Sequence, residues 1–304
     1  MQLKDHTVNP SRDAAPKVSV IVPHYRDLDR LGLCLDSLER QTYPRDRFEI
    51  IIADNASPEG EAALAEVVGG RAQIVIVREK GAGPARNGGV AEASGEILAF
   101  TDCDCIADPT WLASGVDALS QTDFAGGRVN VMIERPGAPL PVEAFEAVFA
   151  FNNERYVKQL GFTVTANLFC PRALFDEVGG FRVGVSEDRD WSLRASAAGY
   201  RLAFAPEAVV SHPARRNWDE LIGKWKRLNA EAYALHAGRK GHRIRWLLKS
   251  SLLPISALVH TPKVLAAPAL SSWRQRWDAL SVLYRLRMWR LFDALGLLAA
   301  AQKP

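Results

Sequence analysis

The sequence predicts an α/β fold: a mostly parallel, Rossmann-like doubly wound sheet flanked by helices, with a helical C-terminal extension. Three observations lead there. Apolar β-branched runs alternate with helical spacing four times over roughly a hundred residues. Three of those runs end in polar residues, at Pro23–Tyr25, Asp54–Asn55 and Asp102–Asp104, and ligands of such sheets bind beyond the carboxyl ends of the strands. After His212 the strand pattern stops and only helical spacing remains.

Taken in order, "KVSVIVPHY" is a buried parallel strand feeding a loop at its proline. Leu31, Leu35 and Leu38 mark a helix over Leu28 to Gln41. "FEIIIAD" is the second strand, "EAALAEVV" the second helix and "AQIVIV" the third strand. A glycine-rich turn, "GAGPARNGGVAEASG", enters the next helix, and "EILAFTD" is the fourth strand. Beyond it, "FAGGRVNV", "TVTANLFC" and "RLAFAPEAVVSH" read as strands, with helices near Val142–Val157, Arg172–Val178 and Asp188–Ala198. The division expected from this is a flexible segment 1–16, an α/β domain 17–212 and a helical region 213–304.

Charge divides along the same line. From Pro213 onward 17 Lys and Arg stand against 5 Asp and Glu, while residues 1–212 carry 21 against 30. An acidic body and a basic tail imply different partners. The four cysteines form no CxxC pair and no zinc pattern, which suits reduced, cytosolic thiols. The polar opening "MQLKDHTVNPSRDAAP" lacks the apolar core of a signal peptide. A cytoplasmic location is therefore expected.

Asp102 and Asp104 follow a buried strand and repel each other there unless something positive compensates them. Two oxygen ligands at that spacing suit a hard divalent cation that keeps positions open for phosphate. The plainer alternative makes them a strand end and a helix cap; the cap belongs to Asp108, just before "PTWL". Cys103 and Cys105 are small neighbours rather than ligands, because a hard cation prefers oxygen. "GAGPARNGG" offers Gly81 and Gly83, but Arg86 stands where a third glycine of GxGxxG belongs, and the stretch follows the third strand. A dinucleotide-binding dehydrogenase is thereby disfavoured.

"VSVIVPHYRD", "IIADNAS", "GAGPARNGG", "FTDCDC", "VGGF" and "SEDRDWSLRASAAGYRLAFAPEAVVSH" occur in this order and resemble the motifs of a family 2 glycosyltransferase of GT-A fold. The resemblance covers about residues 17 to 212, two thirds of the chain. It implies that Pro23 and Tyr25 line a nucleotide base pocket, that Asp54 accepts from the base, and that Arg86 lies by the nucleotide. Asp102 and Asp104 would form the DxD motif, with Asp104 the direct ligand of Mg²⁺ or Mn²⁺ and Asp102 shared with the donor. His212 would be a third metal ligand; without the resemblance it reads as a packed or capping side chain. Asp188 would be the catalytic base, with Asp190 its rival, and Glu187 and Asn167 would border the acceptor, near Phe169. A polar break in a strand explains Asn167 as well.

The implied reaction is inverting, metal-dependent transfer of one sugar from a nucleotide-diphosphate donor, UDP-linked by preference, to a lipid-linked or glycan acceptor. A cation would neutralise the departing diphosphate, and a carboxylate would take the acceptor proton. The QxxRW of processive members is absent: "RQRW", Arg274 to Trp277, has the wrong spacing and lies far downstream. "FRVGVSED" also lacks the acidic residues that often follow "GGF", which leaves the acceptor side open. Rival readings are a sugar nucleotidyltransferase, for which "PHYRDLDR" supplies no basic glycine-rich triphosphate loop, and a degenerate transferase domain serving as a membrane-associated scaffold.

In the tail, no apolar run approaches the roughly 18–20 residues that span a bilayer. Trp277, Leu280, Tyr284, Met288, Leu291, Leu295 and Leu298 repeat at helical spacing, with Arg276, Arg287 and Arg290 on another side. A basic amphipathic helix of this kind lies in an anionic membrane surface, here the inner face of the cytoplasmic membrane; packing on the domain or in a homo-oligomer is the alternative. No motif for nucleic acid accompanies it.

Overall fold

A computed structural model describes residues 15–135, 137–234 and 241–300, so all but the last two residues of the segment 1–16 lie outside it. The chain forms two compact units. The first comprises the chain up to Arg128, Asn153–Val183 and Asp188–Val210; the second comprises Val129–Asn152, Gly184–Glu187 and the chain from Ser211 onward.

In the first unit, β1 (Val18–His24), α1 (Leu28–Glu39), β2 (Phe48–Asp54), α2 (Gly60–Val68), β3 (Gln73–Ile76), α3 (Ala82–Glu92) and β4 (Ile97–Phe100) follow one another. β1 is parallel to β2 and to β4, and β2 is parallel to β3. Leu31, Leu35 and Leu38 are buried, as their spacing predicts, and Asp27 caps α1 by accepting from the Arg30 backbone N–H. The register runs from Val18 opposite Phe48 to His24 opposite Asp54, so β1 and β2 end level. α3 lies very close to the sheet. A Cβ on Gly88 would stand 2.4 Å from Val77 Cγ2, and one on Gly89 2.8 Å from Ile21 Cγ2. The paired glycines of "ARNGG" thus serve packing.

After β4 come β5 (Ile106–Ala107), α4 (Trp111–Ala118) and β6 (Phe124–Met132), then α5 (Pro141–Phe149) of the second unit. The helix expected over Val142–Val157 is broken. α5 ends at Phe149, Phe151 adopts a φ of 34°, and α6 (Asn153–Arg155) runs into a π-helical turn over Tyr156–Leu160. Asn153 explains the break: its side chain donates to the Gly127 carbonyl and Thr163 Oγ1 and accepts from Val164 N, bonds that compete with continued helix. The strand expected from "TVTANLFC" is also shorter. A 3₁₀ turn occupies Thr165–Asn167, and only β7 (Leu168–Pro171) joins the sheet. α7 (Arg172–Val178), α8 (Glu187–Ala197) and β8 (Leu202–Pro213) follow.

The sheet order is β3-β2-β1-β4-β7-β6-β8-β5, with β7 antiparallel to both β4 and β6. The strand order reverses between β1 and β4, and such a switch point opens a crevice at the carboxyl ends. The core beneath it contains Ile21, Ile51, Leu98, Phe100, Phe124 and Trp191.

The second unit is helical: α5, α9 (Trp218–Ala234), α10 (His242–Ser251), α11 (Leu253–Leu265) and α12 (Trp273–Ala300). Phe145, Leu221, Ala257, Val264, Leu283 and Leu286 fill its core. α12 departs from the sequence expectation. It buries Ala279, Leu280, Val282, Leu283 and Leu286, whereas Trp277, Tyr284, Met288 and Leu295 are exposed, so the expected single stripe is split. The three arginines expected on its polar side, Arg276, Arg287 and Arg290, are each half-buried, whereas Arg274 and Arg285 are exposed. The Arg290 guanidinium lies 3.9 Å over the Trp225 ring, and burial lowers its pKa to about 10; burial also lowers that of Arg287.

Candidate functional site

Asp102 and Asp104 lie just beyond β4, in a turn closed by the Cys105 N–H donating to the Asp102 carbonyl at 3.0 Å. The loop is tied down on both sides. Cys34 of α1 donates to the same carbonyl at 3.6 Å, and Asp108 N donates to the Val209 carbonyl of β8 at 3.0 Å. Asp108 accepts from the Thr110 N–H and hydroxyl. It closes a turn two residues before the N-cap position of α4, which is Thr110.

The positive charge these carboxylates require comes in part from the chain itself. Arg86 Nη2 donates to Asp102 Oδ1 at 2.5 Å, with the guanidinium buried. Arg30 Nη1 stands 4.0 Å from Asp104 Oδ2. Arg86 reaches Asp102 because α3 packs so closely on β1 and β2. Burial first, and then the Asp102 and Asp104 carboxylates, push the thiols of Cys34, Cys103 and Cys105 above the ordinary thiol range. They stay uncharged, as neighbours of carboxylates should.

Asp102, Asp104 and His212 each offer a ligand atom, and these atoms lie within 4.8 Å of one another, the only such group among the described residues. His212 is near the end of β8. Its Nδ1 is 2.8 Å from the Pro213 carbonyl; a carbonyl only accepts, so Nδ1 carries the proton in this contact. Two carboxylates and an imidazole are a donor set that fits a divalent cation such as Mn²⁺ or Mg²⁺.

At the ends of β1 and β2, Asp54 is almost fully buried. Oδ1 accepts from His24 Nδ1 at 2.7 Å and Ser57 Oγ at 2.6 Å, and Oδ2 from Ser57 N at 2.8 Å. With about four acceptor sites on a carboxylate, these contacts among the described residues occupy three and leave one on Oδ2. Pro23 is buried, while Tyr25 is exposed, with the Arg26 guanidinium 5.1 Å from its ring centre. His24 went unnoticed in the sequence, although its place between Pro23 and Tyr25, in register with Asp54, marks it.

Glu187 and Asp188 open α8, both half-buried. Asp188 Oδ1 accepts from Arg189 N, and its carbonyl accepts from Ser192 Oγ. Buried Trp191 anchors the helix through Nε1 to the Gly179 carbonyl at 3.1 Å. Asp190 is held by Arg194 Nε at 2.8 Å and faces Arg182 at 3.7 Å. Asn167 differs from its acceptor-side expectation. It is fully buried; its amide donates to the Arg128 and Ala208 carbonyls and accepts from Trp111 Nε1. Here it joins strands and α4, as the polar break in "TANLFC" allows, and it does not reach a rim. Phe169 is likewise buried, against Trp111.

Comparison with protein families matches residues 19–184 to "Glycosyl transferase family 2". Glycosyltransferase AglE of Haloferax volcanii is 34% identical over 217 residues, 69% of this chain and 70% of that protein. The uncharacterized glycosyltransferase YwdF of Bacillus subtilis is 29% identical over 202 residues, 64% and 73% of the two chains. Among solved structures, mannosyltransferase PcManGT from Pyrobaculum calidifontis, in complex with GDP-Man and Mn²⁺, superposes with a TM-score of 0.60 at 22% identity, covering 98% of this chain and 91% of that one. S. aureus TarS 1–349 in complex with UDP gives 0.52 at 18% identity, covering 92% and 88%.

Proposed function

The chain belongs to glycosyl transferase family 2, and from that premise we propose that it moves one sugar from a nucleotide-diphosphate donor to a lipid-linked or glycan acceptor, with inversion, at the inner face of the cytoplasmic membrane. The observation that carries this reading is the grouping of Asp102, Asp104 and His212, with Asp102 and Asp104 just past the end of β4 on one side of the switch point.

Asp102, Asp104 and His212 are the residues that would hold Mn²⁺ or Mg²⁺. When bound, the cation supplies charge neutralisation to the departing diphosphate. Arg86 orients Asp102 and adds a fixed positive charge beside it. Pro23 and Tyr25 line the base, and the single acceptor site left on Asp54 suits the one N–H of uracil, which favours a UDP-linked donor over a guanine nucleotide with two donors on that edge. Asp188 takes the acceptor hydroxyl proton as the oxygen bonds to the anomeric carbon and the carbon–oxygen bond to diphosphate breaks. Glu187, the residue before it, contributes on the acceptor side. Asp190, held by Arg194, keeps α8 in place.

Calorimetric titration of UDP with Mn²⁺, with EDTA, and against Asp104→Ala tests this, with GDP and dTDP alongside. Metal-dependent UDP binding that is lost in the variant is the expected result. Binding of GDP instead would change the donor, as PcManGT's complex with GDP-Man illustrates for that enzyme. Binding of none would make the chain a degenerate scaffold.

A further inference from the structure

We propose that one face of α10 and α11, not the basic side of α12, is the surface by which this protein docks on an anionic bilayer. Ile244, Leu248, Leu252, Ile255 and Val259 follow one another at spacings of three or four residues, and each leaves 55–68% of its surface exposed. That spacing puts them on one side of the helical path. Trp246, Ala257 and Val264 point the other way, into the core of the second unit. A stripe of large aliphatic side chains on a soluble protein marks a docking surface.

Charge identifies the occupant. Arg245 and Lys249 are exposed, each one residue after a member of the stripe and one helical turn apart along one border of it. Across residues 241–299 there are nine Lys and Arg against two acidic residues, Asp278 and Asp293. Two copies meeting through this face would bring like charges together, whereas phosphate headgroups would complement the border while acyl chains accept the aliphatic stripe. No helix among the described residues is long and apolar enough to cross a membrane, so the contact lies along the surface. α12 contributes Trp273 and Trp277, both exposed, the residue type favoured at membrane interfaces. Its Arg287 and Arg290 are half-buried, and the Arg290 guanidinium is stacked 3.9 Å over the Trp225 ring, so they are poorer headgroup contacts than the exposed Arg245 and Lys249.

The inference rests on the membrane part of the function proposed above and leaves the catalytic part separate. Full-length protein is sedimented with vesicles of phosphatidylcholine alone and of equimolar phosphatidylcholine and phosphatidylglycerol, at low and high salt, with UDP binding measured on the same samples. Wild type should bind only the anionic vesicles, less at high salt. Leu248→Asp should weaken that partition about tenfold, and Arg245→Glu with Lys249→Glu by a similar factor, with UDP binding unchanged in each. The charge-reversal variant leaves the apolar packing alone, so it decides the matter if Leu248→Asp does not fold. Wild type that ignores both vesicles, or variants that bind like wild type, would overturn the proposal. So would a dimer split by Leu248→Asp without any vesicle binding, which would assign the face to a second copy. Loss of UDP binding with vesicle binding intact would instead sink the catalytic reading.

Discussion

The Phe151 ring lies against the His212 ring, with centroids 4.7 Å and planes 48° apart, and Phe151 holds this position at a φ of 34°. A bulky L-residue at positive φ costs about 1–3 kcal/mol and persists only where its surroundings impose it. Lys224 Nζ stands 5.4 Å over the same ring. Phe151 packs against the imidazole of the residue proposed as a third metal ligand, and Phe151→Ala should weaken Mn²⁺ binding about tenfold or more. Phe151→Tyr should keep the affinity. Phe151→Gly, which adopts that φ without strain, should recover stability but not affinity. Mn²⁺ titrations followed by electron paramagnetic resonance, beside thermal melts, separate these results. Unchanged affinity in the alanine variant would remove the role.

Arg86 and Asp102 form a pair in which the guanidinium is almost entirely buried. Removing one partner from such a pair costs about 3–5 kcal/mol, because the other charge is left uncompensated. Asp102→Asn should therefore lower the melting temperature clearly and abolish metal-dependent nucleotide binding. Asp104→Asn, whose partner Arg30 is at 4.0 Å and partly exposed, should lose metal binding with little effect on the melt. Equal melting shifts for the two would contradict the pairing.

The two aspartates of α8 should separate in kinetics. Asp188→Asn is expected to lower kcat by about 10²–10⁴-fold, the scale of general-base removal, with donor KM nearly unchanged. Asp190→Asn, which loses the Arg194 contact, should lower stability and reduce kcat far less. The opposite ranking in initial-rate measurements would exchange their roles.

Glu146 is buried in the second unit, where its carboxylate accepts from Arg215 N and Nη1 and from Lys224 Nζ. Burial works to raise its pKa, but Lys224, Arg215 and these hydrogen bonds outweigh it and hold the group below the usual carboxylate range. A folded-state pKa below the unfolded one, about 4.3 for Glu, contributes stability above that pH and loses it as pH falls through the folded value. Glu146→Gln should thus destabilise at neutral pH by about 3 kcal/mol, with the difference from wild type shrinking in more acidic buffer. Urea unfolding at both pH values measures this, and a constant difference would refute the linkage.

Local pattern was enough for β1, α1 and β2, because a run such as "FEIIIAD" has a single buried outcome and Leu31, Leu35 and Leu38 define a single face. It was not enough where a side chain chose a distant partner over its own segment. Asn153 breaks a helix to reach Gly127 and Thr163, and Asn167 shortens a strand to reach Arg128 and Ala208. In the tail, periodicity revealed that an apolar side exists but not which part of it other helices cover. Leu280 went to the core while Trp277, one turn earlier, did not.

By itself, then, the sequence determined the alternation of strands and helices, the polar residues at the strand ends and the basic balance of the tail, all properties of neighbours along the chain. Only the tertiary structure decided that Arg86 faces Asp102, that His24 and Ser57 both bond to Asp54, and which helical face stays uncovered among the described residues. Each of those depends on how closely elements far apart in sequence pack, and that distance is set by side-chain volume across the contact, such as the missing Cβ atoms of Gly88 and Gly89, which no periodicity along one segment encodes.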